Sequence, residues 1–315
     1  MRGGFTKRFT IRSPRGVALI NALIIVAAIS AISTALLLRT ERATQRGHLS
    51  DEVAQTTRYL DAGTLLVRSL LDSTDPAALH LQQEWASPRA EVPIDRGTIS
   101  WEITDLQGRF NLNHLLGDGE NAWHLQTSLE QLALAQGLNP EIVRQLASMF
   151  KSPRDQRSVA IEHEGSPSRP PALPLTTLRE LLLVPGMTAS DFATIDPFLA
   201  ALPLETALNV NTLDPEILAA LAQESGSRVV EIFSSRRESA AFTSVEDFFD
   251  WVSTTLGPEV EDLLRDLHFT VTSGWFLARI EAQLGATRLQ RSVVLTRASD
   301  TGHMIVAFHL PEPAP

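Results

Sequence analysis

The chain has 315 residues, no Cys and a net charge of −10, with 43% hydrophobic and 20% charged residues. These figures exclude a disulfide scaffold, a thiolate metal site and a thiol nucleophile. They also leave enough chain for a core without covalent staples, and the acidic balance disfavours general nucleic-acid binding.

Residues 1–16 contain Arg2, Lys7, Arg8, Arg12 and Arg15 and no acid. Val17 to Leu38 is a run of 22 residues without a charge. As a helix it extends about 33 Å, the thickness of a bilayer core. The basic leader holds that end in the cytoplasm and places the rest of the chain beyond the inner membrane. A cleaved secretory signal has a shorter apolar core and a small-residue exit. A plain membrane anchor fits the run. A third reading rests on Arg15-Gly16-Val17, where a Gly closes the basic leader as the apolar run begins. That junction resembles the type IV prepilin signal, in which a prepilin peptidase cuts after the Gly and the apolar run stays in the mature protein. Gly16 and Val17 are then the processing site. The fifth residue after the cut is Asn21, where most pilins and pseudopilins carry Glu. A lone carboxylate in hydrocarbon is costly. A subunit with Asn21 has no such charge to neutralise and can sit with nothing above it.

Apolar residues at Leu49, Val53, Leu60, Val67 and Leu71 continue one stripe at helical period. Asp72-Ser-Thr-Asp-Pro76 ends it. One helix from Val17 to Leu71 is expected, spanning lipid in its first half and packing on a domain in its second. A strand follows at Gly97–Thr104, where Ile99, Trp101 and Ile103 alternate with polar neighbours. It runs into a turn, Asp105-Leu-Gln-Gly-Arg-Phe-Asn-Leu-Asn113, in which Asn111 and Asn113 are expected to hold backbone groups.

From His114 to His268 the pattern is helical. Helices are expected at Ala122–Gln136, Pro140–Phe150, Thr177–Leu183, Ala189–Ala201, Pro215–Gln223, Ser227–Glu238 and Ser244–Thr254. A Pro-rich polar loop covers Ser152–Pro174. Period-two segments return at Phe269–Thr272, Phe276–Ala282, Ser292–Thr296 and Met304–Phe308, before the tail PEPAP. A helical block between one strand and several others predicts an α+β fold. It has an antiparallel sheet and a large helical insertion.

The Arg15-Gly16-Val17 junction, Asn21, the segment I-T-D-L-Q-G-R-F-N-L-N and the order of elements together resemble the minor pseudopilin K family of type II secretion systems. The resemblance implies a leader at 1–16 and a transmembrane part of the long helix at 17–38. It divides the pseudopilin domain into 39–113 and 268–310, around a helical insert at 114–267, with a tail at 311–315. It implies a non-catalytic subunit at the tip of a pseudopilus. That subunit starts assembly with the I and J minor pseudopilins and has the outer-membrane secretin or secreted cargo as further partners. The family also binds calcium. The short acidic loop Gly117-Asp-Gly-Glu-Asn121 offers hard oxygen ligands through Asp118 and Glu120, though its spacing is not that of an EF-hand. His114 and His124 flank that loop and make zinc conceivable, with a solvated loop as the simpler reading.

A rival of another class comes from the insert. Leu182-Leu-Val-Pro-Gly-Met187 with Ala189–Ile195 resembles a helix-hairpin-helix, and the stretch from Asn209-Val-Asn-Thr212 to Phe242-Thr-Ser-Val-Glu-Asp-Phe resembles the tandem hairpins of membrane-anchored competence DNA receptors. Residues 175–267 hold five arginines against sixteen acids, a balance that should repel a polyanion. Packing elements and a protein-binding surface are the expected roles. No G-x-S-x-G, H-E-x-x-H, P-loop or G-x-G-x-x-G motif is present.

Overall fold

The computed structural model describes residues 15–116, 120–150, 173–224 and 227–311. The long helix, α1, runs from Arg15 to Ser73, 59 residues, or about 88 Å at the α-helical rise. Its apolar run is uncovered: Leu19, Leu23, Ile24, Ile29, Leu36 and Leu37 are all exposed. Burial begins at Thr56 and Leu60 and continues through Val67 and Leu71. Leu49 and Val53, expected to share that stripe, are 58% and 40% exposed. The reason is the extent of the sheet, which starts at the level of Glu52 and leaves the helix below it without a partner.

The sheet has five strands in the order β1 (Ala90–Ile94), β2 (Gly97–Asp105), β7 (Trp275–Leu284), β8 (Thr287–Arg297) and β9 (Met304–Leu310), all neighbours antiparallel. β1 lies at one edge, and its Pro93 both suits an edge and hides the strand from sequence reading. Ile99, Ile103, Phe276, Ala278, Ile280, Val293 and Leu295 project to one face and bury Leu60, Val67 and Leu71 of α1. The other face turns Leu277 and Val294 toward Leu106, Ala200 and Leu202.

Register along α1 orients the whole domain. The Arg96 guanidinium donates to the Glu52 carboxylate (3.1 Å), and the Thr287 hydroxyl donates to the same group (3.2 Å). Arg291 pairs with Asp61. Met304 N–H donates to Asp72 (2.7 Å) and Arg68 to the Met304 carbonyl (2.8 Å). Asp105 and Phe276 are partners at one end of the β2–β7 ladder and Gly97 and Leu284 at the other. The end that carries Asp105 is the end nearest Asp72, farthest along α1 from the apolar run.

The insert leaves β2 and returns to β7 at that far end. Its helices are α2 (Glu120–Ala135), α3 (Pro140–Met149), α4 (Ala189–Ile195), α5 (Pro215–Leu221), α6 (Ser227–Ser239), α7 (Val245–Thr255) and α8 (Pro258–Leu264). Together they enclose a core of their own. Two differences from the sequence reading have local causes. Leu178–Leu183 is a 3₁₀ helix behind the Thr177–Glu180 capping box. The helix expected to reach Ala201 stops at Ile195, because Asp196-Pro197-Phe198 forms a 3₁₀ turn and releases Leu199-Ala200 as a strand. Helix α8 was not expected at all. Residues 312–315 and most of the Pro-rich loop, 151–172, lie outside the described residues.

Two parallel ladders tie the insert to the sheet: β3 (Phe110–Asn111) with β4 (Leu199–Ala200), and β5 (Leu208–Asn209) with β6 (Phe269–Thr270). The strand expected over Phe269–Thr272 therefore belongs to one of these ladders and not to the main sheet. The two ladders share a motif, Phe110-Asn-Leu-Asn113 and Leu208-Asn-Val-Asn211. In each the first Asn accepts the N–H of the second, at 3.2 and 3.0 Å. The second Asn then clamps a distant peptide unit. Asn113 accepts the Leu175 N–H (2.7 Å) and donates to the carbonyls of Leu175 (3.0 Å) and Leu202 (2.8 Å). Asn211 accepts the Phe242 N–H (2.7 Å) and donates to the Phe242 carbonyl (3.0 Å). Two residues after each clamp, Thr177 and Ser244 cap the next helical turn. The insert is thus built on one structural unit used twice.

Candidate functional site

The residues singled out from the sequence fall at three places.

The first is the start of α1. Gly16 and Val17 are within the helix. Asn21 is exposed among apolar neighbours that are equally exposed. From Leu19 to Ser73 the helix is long and apolar enough at its start to cross a membrane. Apolar surface of this length, left uncovered by the chain's own fold, requires lipid or other helices around it.

The second is the junction between sheet and insert. Asp105 is buried at the end of β2, and its carboxylate accepts from Ser273 Oγ (2.5 Å), Thr212 Oγ1 (2.5 Å), Gln107 N (2.9 Å) and Asn209 Nδ2 (3.2 Å). Burial pushes its pKa above the ordinary carboxylate value, with the four donors opposing that shift. Asn209 also donates to the Leu79 carbonyl (3.1 Å) and to Ser273 Oγ (2.9 Å). Gly108 lies so close to the Thr212 carbonyl that a Cβ there would sit 2.3 Å from its oxygen. One carboxylate therefore joins the last residue of a sheet strand, the second Asn unit and the segment leading back into β7. Sequence reading selected Asn111 and Asn113 for backbone roles, and both have them. It passed over Asp105 as a turn residue and did not connect Asn209 and Asn211 with Asn111 and Asn113. The repeated N-x-N spacing was the available signal.

The third is the insert surface. Asp118 lies outside the described residues, and Glu120 opens α2. Among the described residues no three His, Asp or Glu side chains gather as a metal site. The two histidines separate: His124 Nε2 contacts the Leu221 carbonyl (2.6 Å) and joins α2 to α5, while burial lowers the pKa of His114. Leu182–Met187 is a hairpin, with Gly186 at φ +85° between the 3₁₀ helix and α4. Three of the arginines near these hairpins are engaged within the fold, while Arg228 is exposed. Arg237 donates to the Leu213 carbonyl (2.6 Å) and stacks on Phe233, Arg236 lies over Phe242 and beside Asp247, and Arg265 pairs with Glu261 and Asp262. This arrangement gives no support to the nucleic-acid reading.

Residues 108–204 match the family described as Type II secretion system (T2SS), protein K. A Type II secretion system protein K of Klebsiella pneumoniae is 33% identical over 227 residues, covering 66% of this chain and 69% of that protein. One of Pseudomonas aeruginosa is 26% identical over 308 residues, covering 92% and 90%. A chain of the GspK-GspI-GspJ complex from enterotoxigenic Escherichia coli superposes with a TM-score of 0.67 at 22% identity, covering 85% of this chain and 100% of that one. The last match shows a shared fold.

Proposed function

The chain belongs to the type II secretion system protein K family of minor pseudopilins, and from that premise we propose that it caps the pseudopilus tip and starts fibre assembly with the I and J minor pseudopilins. The carrying observation is where the insert sits. Pseudopilin subunits stack through their long helices, so each needs room beyond its membrane-distal end for the next subunit. Here that end bears the whole insert, rooted at Asp105 and Trp275 and locked by Asn209 and Asn113. A shaft subunit has no room for such a mass. The last subunit has it on the side where nothing follows.

Asn21 supports the same position. A Glu there would need a cationic partner from a subunit above or stay unpaired in lipid, at a cost of about 2.5 kcal/mol or more. The relative that shares this fold was solved in a complex with I and J subunits, and partners of that kind suit the uncovered helix. The proposed topology is a single pass through the inner membrane, with a leader removed by prepilin peptidase between Gly16 and Val17. The insert then faces the periplasm and is available to secretin or cargo. Cells carrying Asn21→Glu, with Asn21→Leu as control, test the tip position. Pseudopilus number and secreted protein should not rise, and the subunit should stay off the shaft. More fibres, or label along the shaft, would overturn the reading. Asp118 and Glu120 are proposed as calcium oxygens within the same reading. A fall in melting temperature on chelation, absent in Asp118→Asn, is the expected result.

A further inference from the structure

One cleft departs from the acidic character of the chain. It has a volume of about 300 Å³ and lies on the outer face of the sheet, where the insert overhangs the strands. Its walls are apolar, formed by Leu106, Phe192, Leu277, Val294, Phe308 and Leu310. Three arginines, Arg109, Arg179 and Arg279, line it against a single acid, Asp196.

Arg109 is the informative one. It is 8% exposed, and its Nη1 donates to the Asp196 backbone carbonyl at 3.2 Å. No carboxylate among the described residues forms an ion pair with it. Asp196, Asp105 and Glu102 favour its charge from farther away, while Arg279 opposes it. A guanidinium has five donors in a planar fork, and a desolvated one is ordinarily matched by a carboxylate. Arg279 is exposed and stands opposite Glu102 in the ladder without forming an ion pair. Arg179 donates to the Pro311 carbonyl at 3.3 Å. The cleft therefore holds positive charge that the described fold leaves unmatched, inside apolar walls.

The strand order supplies a second handle. β9 is the outermost strand on this side, and Phe308 and Leu310 form the cleft wall. Leu277, Val294 and Phe308 stand side by side across β7, β8 and β9, so the cleft runs across the strands over the sheet face. We propose that this cleft docks an extended segment of a partner protein in which an acidic residue lies two positions from an apolar one on either side, so that all three side chains face the cleft. The carboxylate meets the fork of Arg109 with Arg279 beside it, and the apolar side chains enter the Leu277–Val294–Phe308 wall. The acidic remainder of the chain repels such a segment elsewhere, which confines it to this cleft.

The test is fluorescence anisotropy with the full-length chain in detergent micelles. The probe is a fluorescein-labelled peptide, Gly-Leu-Ser-Asp-Ser-Leu-Gly, compared with the same peptide carrying Asn in place of its Asp. The acidic peptide should bind saturably and weaken with added salt. The amide peptide and the Arg279→Glu variant should each lose roughly tenfold or more, the worth of one charge-assisted hydrogen bond. Arg279 is exposed, so its reversal leaves the core intact. Arg228→Glu, at an exposed arginine of α6 outside the cleft, should bind as the unaltered chain does. Arg109→Lys keeps the charge but loses the fork, and should also weaken binding. Equal binding of the two peptides, equal losses in Arg279→Glu and Arg228→Glu, or no saturation at millimolar peptide would each overturn the proposal.

Discussion

Removing the Asp105 carboxylate should detach the insert from the sheet before it harms either part. The carboxylate accepts four hydrogen bonds, and the consequences of its loss differ among the donors. In Asp105→Ala, Asn209 Nδ2 keeps the Leu79 carbonyl and Ser273 Oγ. Thr212 Oγ1 keeps only a long contact to the Asn209 carbonyl, 3.4 Å. Gln107 N and the Ser273 hydroxyl proton lose their acceptor outright. Two to three orphaned buried donors, at about 1–3 kcal/mol each, come to about 2–9 kcal/mol. Relief from burying a carboxylate offsets part of this, so about 3 kcal/mol is expected overall, a large share of a typical 5–15 kcal/mol stability. Asp105→Asn keeps the shape and the bond from Gln107 N, while the two hydroxyls can turn to accept. It should cost about 1 kcal/mol. The pH dependence has a definite sign. The folded-state pKa of Asp105 is raised by burial. Its contribution is therefore complete below the ordinary carboxylate pKa and is lost as pH rises through the raised folded value. The melting-temperature gap between the unaltered chain and Asp105→Asn should be widest near pH 4 and narrow toward neutrality. The assay is thermal unfolding of the full chain across pH, with hydrogen exchange read at Leu79, Leu208 and Val210. A gap that widens with pH, or an Ala variant within 1 kcal/mol of the parent, would refute the reasoning.

Two further outcomes test other parts of the structure. Asn113→Ala and Asn211→Ala each remove a clamp of two or three hydrogen bonds on buried peptide groups and should cost about 2–4 kcal/mol. Hydrogen exchange should accelerate at Leu175 in the first and at Phe242 in the second, and an effect crossing from one unit to the other would count against independent clamps. Gly16→Trp should block leader removal, so the intact mass should be that of a chain still carrying residues 1–16; a shortened chain would move the processing site elsewhere.

Short-range physics accounts for what was legible in the sequence. An uncharged run of 22 residues after five basic ones declares itself through composition alone. The strands at Gly97 and Phe276, and the helices at Pro140, Ser227 and Val245, follow from periodicity and caps within a dozen residues. Asn111 and Asn113 were readable as backbone holders because Asn in a turn has few other uses.

What only the tertiary structure decided depended on partners far away in the chain. Leu49 and Leu60 look alike in sequence, yet only Leu60 is covered, since the sheet ends near Glu52. Phe269–Thr270 has the pattern of a sheet strand but pairs with Leu208–Asn209, whose approach is set by Asp105 and Asn209. The placement of the insert at the membrane-distal end follows from the register of β2 and β7 against α1, which no local pattern encodes. Arg109 reads as one basic residue in a turn. Its burial in an apolar cleft arises because Leu199–Ala200 pairs beside Phe110 and brings Asp196 and Phe192 over the sheet. Helix and strand propensities are properties of neighbouring residues, while burial and charge matching belong to groups brought together by the folded chain.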